Sequence, residues 1–403
     1  MFKIFVIGLS ESILSQKQQQ TLQHCELIIG AERFQDLCAS FTGQFLSISP
    51  LGTALASAKK AIKNSNIAIL ASGDPLFFGI GKRVLSEFDP LQVEIQPALS
   101  AIQQASALFK ISWDDATILS LHGRSHHHIP GMLLQNEKNL IFTDSHNSPD
   151  KIARLTLEYL ELIGDQNLTD SIIVHVAADI GLDSQQLFSG SLQTTSETSF
   201  SPLNVMCVII PRRENRISQI LGLTEKELSH SRGLITKNEV RAVTLHALQP
   251  KKNSILWDVG AGSGSISIES ARLAPDMTVY AIEHKAEGIK NIIANILRFG
   301  CYNIIPVFGK APEALTNLPA PDRVFVGGSG GCLPEIVSTV TKHLTTDGRL
   351  IINGVIKKTI DSAPAIMRKN GFQVTSCTVN VVRHNRQNKK TVYNPITIMT
   401  GRR

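Results

Sequence analysis

Five residues between positions 258 and 283 have the types and spacing to hold a nucleotide-like cofactor. Asp258, Gly260, Gly262 and Gly264 form an acidic-x-G-x-G-x-G series inside ILWDVGAGSGSISIESAR (255–272), with Ala261 and Ser263 between the glycines. The segment reads as a short apolar strand, a glycine turn and a helix. A tight strand-to-helix turn needs φ values that side chains resist. A nucleotide can then approach bare backbone beside a helix N-terminus. The fifth residue, Glu283, ends the next apolar run, MTVYAIE (277–283), about 20 residues beyond the loop, where a carboxylate reaches ribose hydroxyls. A dinucleotide fingerprint would instead run G-x-G-x-x-G.

A second set of motifs lies in the first half of the chain. VIGLSESIL (6–14), IIGAERF (28–34), ASGDPLFFGIGKRV (71–84), QPALSAIQQASALF (96–109) and ILSLHGR (118–124) each follow or contain an apolar run. Gly73, Asp74 and Pro75 fall at a strand end, where α/β proteins bind ligands. Taken alone, Asp74 reads as a turn former. His126, His127 and His128 are consecutive and cannot all face one ion, so they read as a solvated loop and no metal site is expected. In the second half, ITKNEVRA (235–242), GKAPEAL (309–315) and VFVGGSGG (324–331) stand at comparable strand and helix ends. Gly327 and Gly328 would let a substrate approach backbone amides. No catalytic triad is present.

The elements that must position these residues alternate along the chain. Strands are expected at 3–7, 27–29, 67–71, 93–95, 117–121, 140–143, 171–176 and 204–210, with helices at 52–63, 98–109 and 150–162. Such alternation predicts mostly parallel sheets. The first half is long enough for two lobes, dividing near 112–115. Residues 211–235 are polar and charged, and read as a connector. Beyond it a helix at 238–248 precedes strands at 255–259, 278–283, 303–307, 323–326 and 350–353, and a terminal β pair at 374–382 and 391–400.

Composition narrows the function classes. The chain has 403 residues, 42% hydrophobic and 18% charged, as expected of a globular protein with a full core. The formal charge of +6 suits an anionic ligand. Aromatic residues make up only 5%, which disfavours stacking platforms for nucleic acid. The six cysteines (Cys25, Cys38, Cys207, Cys301, Cys332 and Cys377) form no C-x-x-C pair and read mostly as reduced core residues. With no secretory signal pattern and no apolar run long enough to span a bilayer, a cytoplasmic protein without membrane partners is expected.

The glycine loop with its leading Asp258 resembles that of Rossmann-like methyltransferases, which bind S-adenosylmethionine. The first-half set, with SGDP, P-x-x-S-A and SLHGR in order, resembles the tetrapyrrole (corrin/porphyrin) methylase family, CbiE type. The second-half set resembles the CbiT type, and the fused order resembles the decarboxylating precorrin methyltransferases. That resemblance implies an α/β chain: a two-lobed tetrapyrrole methylase fold over 1–210, the connector 211–235, and a Rossmann-like methyltransferase domain over 236–403. It implies S-adenosylmethionine-dependent methylation of a precorrin at two meso carbons, with loss of carbon dioxide from an acetate side chain, in corrin-ring (cobalamin) biosynthesis. It also implies a homo-oligomer.

By resemblance, one cofactor would touch Leu9, Asp74, Phe77, Ser100 and Ala101. The other would touch Thr236, Asp258, the loop Gly260–Ala261–Gly262–Ser263–Gly264, Glu283 and Ala311. Thr236 has a second reading, as the cap of the 238–248 helix. Arg124, Lys237 and Arg241 lie in the family motifs and are candidate anchors for substrate carboxylates, arginine being suited to bidentate contact. An RNA-modifying methyltransferase and a non-catalytic cofactor-binding scaffold are the alternatives. The low aromatic content argues against the first, and the intact glycine and acidic positions against the second.

Overall fold

Strands of three to seven residues, most of them apolar runs, pair into three large sheets and one small ribbon. The computed structural model describes residues 2–10, 14–121, 126–211, 221–231, 233 and 235–403. The first sheet holds β1 (Ile4–Leu9), β2 (Cys25–Gly30), β3 (Gln44–Ser47), β4 (Asn66–Ser72) and β5 (Val93–Gln96) in the order β3-β2-β4-β1-β5, all parallel. Both faces are covered, as a parallel sheet requires. Ile4, Val6, Ile67 and Ile69 pack on one side with the helix Leu51–Ala61; Ile7, Leu9, Ala68 and Leu70 pack on the other with Leu22.

The second sheet departs from expectation. It contains β6 (Thr117–Ser120), β7 (Lys138–Phe142), β8 (Ile173–Ala178), β9 (Gln186–Ser191) and β10 (Asn204–Ile209) in the order β6-β7-β10-β8-β9. Only β6–β7 is parallel; the other pairings are antiparallel. The alternation rule failed here because β9, QLFSGS, is a largely exposed edge strand without an apolar stripe, so the hairpin it makes with β8 left no periodic signal. The short edge strand β3 was missed for the same reason.

The third sheet matches the sequence closely. It comprises β11 (Ile255–Val259), β12 (Thr278–Glu283), β13 (Ile304–Phe308), β14 (Arg323–Val326), β15 (Arg349–Gly354), β16 (Gln373–Val379) and the final strand β19 (Ile396–Arg402), which follows the ribbon strands β17 (Val382–His384) and β18 (Lys390–Val392). The order is β13-β12-β11-β14-β15-β19-β16, with β19 antiparallel to its neighbours and the rest parallel to one another. This is a Rossmann-like sheet closed by an antiparallel strand. Ile255, Trp257 and Val259 point to one face, into a core completed by the helices Leu333–His343 and Lys357–Lys369. The strand period of two sends Asp258 to the opposite face. The helix Asn238–Leu248 has the bounds read from the sequence.

The chain divides into two units. One holds residues 1–125, 138–154 and 172–209; the other holds 126–137, 155–171 and 210–403. Two pieces of the first half therefore belong with the third sheet, and its edge shows why. β13 is an edge strand, and outward carbonyls there need donors. The Tyr159 hydroxyl donates to the Ile304 carbonyl at 2.8 Å, and His128 Nε2–H donates to the Tyr302 carbonyl at 2.9 Å. The imidazole of His128 packs edge-on to Tyr159 with centroids 4.6 Å apart. His128 is thus a packed structural residue rather than part of a solvated loop. No helix among the described residues is long and apolar enough to cross a membrane.

Burial pulls the His128 pKa from 6.5 down to about 4. The unfolded chain then binds the proton first, so this residue's contribution is complete above about pH 6.5 and is lost as pH falls toward 4. Denaturant unfolding across that window should show stability declining with acidification. His128→Gln, which keeps a donor but does not titrate, should flatten part of the slope; an unchanged slope would place the titration elsewhere.

Candidate cofactor and substrate site

The carboxyl ends of β11, β12, β13 and β14 meet at one sheet edge and open into a cleft of about 730 Å³. Gly260, Gly262, Ser263, Glu283, Lys310, Ala311 and Ser329 contribute to its walls. Glu283 organises the arrangement. Its Oε2 accepts from Gly262 N–H at 2.9 Å and its Oε1 from Lys285 N–H at 2.9 Å, and the side chain is only 7% exposed. The Ile282 carbonyl accepts from Gly260 N–H at 2.9 Å and Ala261 N–H at 3.0 Å. The loop is therefore pinned to the neighbouring strand by backbone and carboxylate together.

Glycine is required where the loop is tightest. Gly260 has φ 69°, and a Cβ there would lie 2.4 Å from the Gly328 carbonyl oxygen. Gly288, in the first turn of the helix Ala286–Phe299, leaves the space that Glu283 fills; a Cβ there would come 2.6 Å from Glu283 Cγ. A nearly buried acid with both oxygens on amides, beside a cradle that side chains would fill, fits a ligand presenting ribose-type hydroxyls.

Asp258 occupies a different place from the one its spacing suggested. It is 1% exposed and turned away from the cleft. Its Oδ2 accepts from Ser267 Oγ at 2.6 Å and Ser267 N at 3.1 Å, fixing the first turns of the helix Ser265–Leu273. Burial pushes its pKa up to about 7, against the Ser267 hydrogen bonds that lower it; the Glu283 charge adds a smaller upward push. Gly264, left-handed at φ 72°, starts that helix. Asp258 and Gly264 shape the loop from beneath, whereas Gly260, Gly262, Ser263, Glu283 and Ala311 line the cleft.

The candidate anchors need correction. Arg241 is 2% exposed, with Nε 3.3 Å from Glu269 Oε1 and further hydrogen bonds to the carbonyls of Leu223 and Thr236. Glu269, also buried, accepts from Leu223 N–H at 2.9 Å and Gly222 N–H at 3.3 Å. Arg241 is consumed in packing 221–223 against the fold and cannot reach a substrate. Lys237 pairs with Glu225 at 2.7 Å and lies over the Tyr393 ring. The cap of the Asn238–Leu248 helix is Lys237, without a side-chain bond, so Thr236 is not the cap; its carbonyl serves Arg241. Arg124 lies outside the described residues.

Sequence reasoning missed the polar supports of the cleft. Asn295, fully buried, accepts from Ser229 N–H at 2.7 Å and donates to the carbonyls of Ser229 and Ser263 at 3.0 and 2.9 Å. Asn291 Nδ2 donates to Ser231 Oγ at 2.9 Å, and both residues line the cleft. The signal was an asparagine on the same helical stripe as Ile292, Ile296 and Phe299, where an apolar residue is expected.

In the first unit, the ends of β1 and β4 meet the segment following β5. Gly73 N–H donates to the Leu9 carbonyl at 2.7 Å. Asp74 Oδ1 accepts from Leu76 N–H at 2.8 Å, the turn-forming role. Ser100 caps the helix Ala101–Phe109 in a capping box with Gln103. Phe77 packs edge-on to Phe142 at 5.9 Å, Ala101 packs beside the same core, and Leu9 is 5% exposed.

Two family models match the chain: tetrapyrrole (corrin/porphyrin) methylases over residues 8–195, and a precorrin methyltransferase domain over residues 227–399. The precorrin-6Y C(5,15)-methyltransferase [decarboxylating] of Sinorhizobium sp is 32% identical over 356 residues, covering 87% of this chain and 84% of that protein. The chain belongs to the precorrin-6Y C(5,15)-methyltransferase (decarboxylating) family. A relative of the same name from Mycobacterium tuberculosis (strain CDC 1551 / Oshkosh) is 28% identical over 75% of this chain and 73% of its own. The cobalt-precorrin-6B C(15)-methyltransferase (decarboxylating) of Salmonella typhimurium is 40% identical over 36% of this chain and 73% of its own. As a member of this precorrin methyltransferase family, the chain carries a tetrapyrrole methylase half and a Rossmann-like half.

Removing one partner from a buried ion pair strands the other charge, at a cost of roughly 3–5 kcal/mol. Arg241→Ala should lower unfolding stability by that order in denaturant titration; a loss below about 1 kcal/mol would return Arg241 to the list of solvent-facing anchors. Gly288→Ala should displace Glu283 and weaken S-adenosylmethionine binding by roughly tenfold, about 1.4 kcal/mol, in calorimetry. Wild-type affinity would show that the Glu283 position is not needed for binding.

Proposed function

We propose that this chain methylates one precorrin at two meso carbons, using a separate S-adenosylmethionine site in each half, and removes carbon dioxide from an acetate side chain in the second half. The first activity is assigned to residues 1–210 and the second, with the decarboxylation, to 236–403, joined by 211–235. The observation that carries the reading is the cleft in which Glu283 and the Gly260–Gly264 loop meet, in a chain similar along most of its length to a precorrin-6Y C(5,15)-methyltransferase [decarboxylating].

Bound S-adenosylmethionine would supply the electrophilic sulfonium methyl. The remaining work belongs to the protein. Glu283 would accept from the ribose hydroxyls while keeping its two amide bonds, and so hold the donor at one depth and angle. Ala311, 8% exposed, supplies apolar wall, and Gly328 leaves backbone accessible where the substrate would enter. Leu9, Asp74, Phe77, Ser100 and Ala101 would hold the donor in the first half, and the convergence of the strand-end segments carrying Leu9, Asp74 and Ser100 supports this. Thr236 stays a proposed contact through its position at the start of the second half.

A tetrapyrrole meso carbon is electron-rich, so methyl transfer does not demand a strong protein base. In decarboxylation the bond from the acetate methylene to its carboxylate breaks. The electron pair enters the conjugated ring and carbon dioxide leaves. A less hydrated carboxylate beside that sink reacts faster, which the cleft walls would provide by excluding water. A cytoplasmic location and a small-molecule substrate belong to the same reading.

Incubation of the full chain with enzymatically prepared precorrin-6Y and S-adenosylmethionine, read by mass spectrometry, should give a product with two added methyls and one carbon dioxide lost. Binding without a mass change would rule the reading out. Glu283→Ala should abolish one methylation and spare the other; two undiminished methylations would refute the assigned contact.

A further inference from the structure

β16 is parallel to β11 and β15, so its carboxyl end at Val379 lies on the same sheet edge as the cofactor cleft. There the chain leaves the sheet, forms the β17–β18 ribbon, and returns as β19. Between Val381 and Pro395 the sequence carries Arg383, Arg386, Lys389 and Lys390 and no acidic residue, in a chain whose formal charge is +6.

The root of the ribbon is neutralised. Arg383 donates from Nε to Glu239 Oε1 at 2.8 Å, and from Nη2 to Glu239 Oε2 at 2.7 Å and Glu225 Oε1 at 2.6 Å. Lys237 takes the other oxygen of Glu225, and both cations lie over the Tyr393 ring. Two cations thus face two carboxylates. The tip differs: among the described residues, Arg386, Lys389 and Lys390 are exposed and none forms an ion pair. Asn385 fixes its shape, its Oδ1 accepting from the N–H groups of Gln387 and Lys389 at 3.0 and 2.8 Å. Beside these charges lie unusually exposed apolar residues. Val382 and Val392 are directly paired across the ribbon and are 45% and 65% exposed; Val355 and Ile356, just past the end of β15, are 55% and 60% exposed. Apolar area next to unpaired cations, on the carboxyl edge of the sheet that carries the cleft, matches a ligand with a flat apolar body and anionic arms. Single-stranded nucleic acid is a poor fit, because the one aromatic ring of the ribbon is already covered by Lys237 and Arg383.

We propose that the β17–β18 ribbon is the substrate-gathering arm of the second methylation site, with Arg386, Lys389 and Lys390 binding the peripheral carboxylates of the macrocycle and Val382 and Val392 packing against its ring. The inference rests on the precorrin reading above and moves the anchor role from Arg241 and Lys237 to the ribbon tip. These tip residues act on specificity and capture rather than on the transferred methyl.

The test is steady-state kinetics of the full chain on precorrin, following the methylation that Glu283→Ala removes, for wild type and for Arg386→Ala/Lys389→Ala/Lys390→Ala. The triple variant should raise KM at least tenfold with kcat little changed, and its KM should depend less steeply on salt. Its S-adenosylmethionine affinity and solution mass should equal those of wild type. An active wild type with an indistinguishable variant would overturn the ribbon assignment alone. A wild type inactive on precorrin would overturn the functional reading and the ribbon with it. A rise in KM accompanied by a changed solution mass would make the ribbon a contact between copies of the chain instead.

Discussion

The glycine loop has no shape of its own; it borrows one from the next strand. Gly260 and Ala261 share the Ile282 carbonyl, and Gly262 is bound by the Glu283 carboxylate. Each bond crosses from β11's loop to β12's end, so each exists only while the two strands stay paired in register. Gly288 keeps the space that lets Glu283 sit there, and Asn295 ties the same loop to Ser229. The recognition surface is therefore a property of the whole parallel sheet, which is how a rigid scaffold holds a site to within a fraction of an ångström.

Much of this was legible in residue order, and the exceptions have physical causes. The strands at 255–259, 278–283 and 323–326 were read with their bounds because buried parallel strands carry continuous apolar runs. The Glu283 position was legible because the strand period and the loop length together fix where a strand ends. Arg241 misled because its motif was read for charge while its helical position was not. It shares a buried stripe with Thr244, Leu245 and Leu248, and an arginine on such a stripe is committed to a partner inside the fold. Asp258 misled similarly, since alternation from Trp257 already sent it to the far face. The antiparallel half of the second sheet was not legible, because an exposed edge strand such as Gln186–Ser191 need not display any period.

The two units reach similar ends by different topologies. In the first, Leu9, Gly73–Asp74 and Ser100 are brought together by the order β4-β1-β5; in the second, the loop, Glu283 and Ala311 are brought together by β13-β12-β11. In both, adjacent parallel strands deliver their carboxyl ends to one edge, and the polar groups there are satisfied by turns and caps before any ligand arrives. What distinguishes the second edge is a nearly buried carboxylate, Glu283, with both oxygens held by backbone amides.

The donors to the β13 edge come from far upstream. Tyr159 and His128 saturate the carbonyls of Ile304 and Tyr302, although roughly 145 and 174 positions separate each pair. A gene cut at residue 210 would follow the boundary between motifs yet leave that edge bare, with open backbone acceptors inviting another strand. The second sheet is therefore finished by residues encoded well before its own motifs begin, and the boundary between the motifs is not the boundary between the packed units.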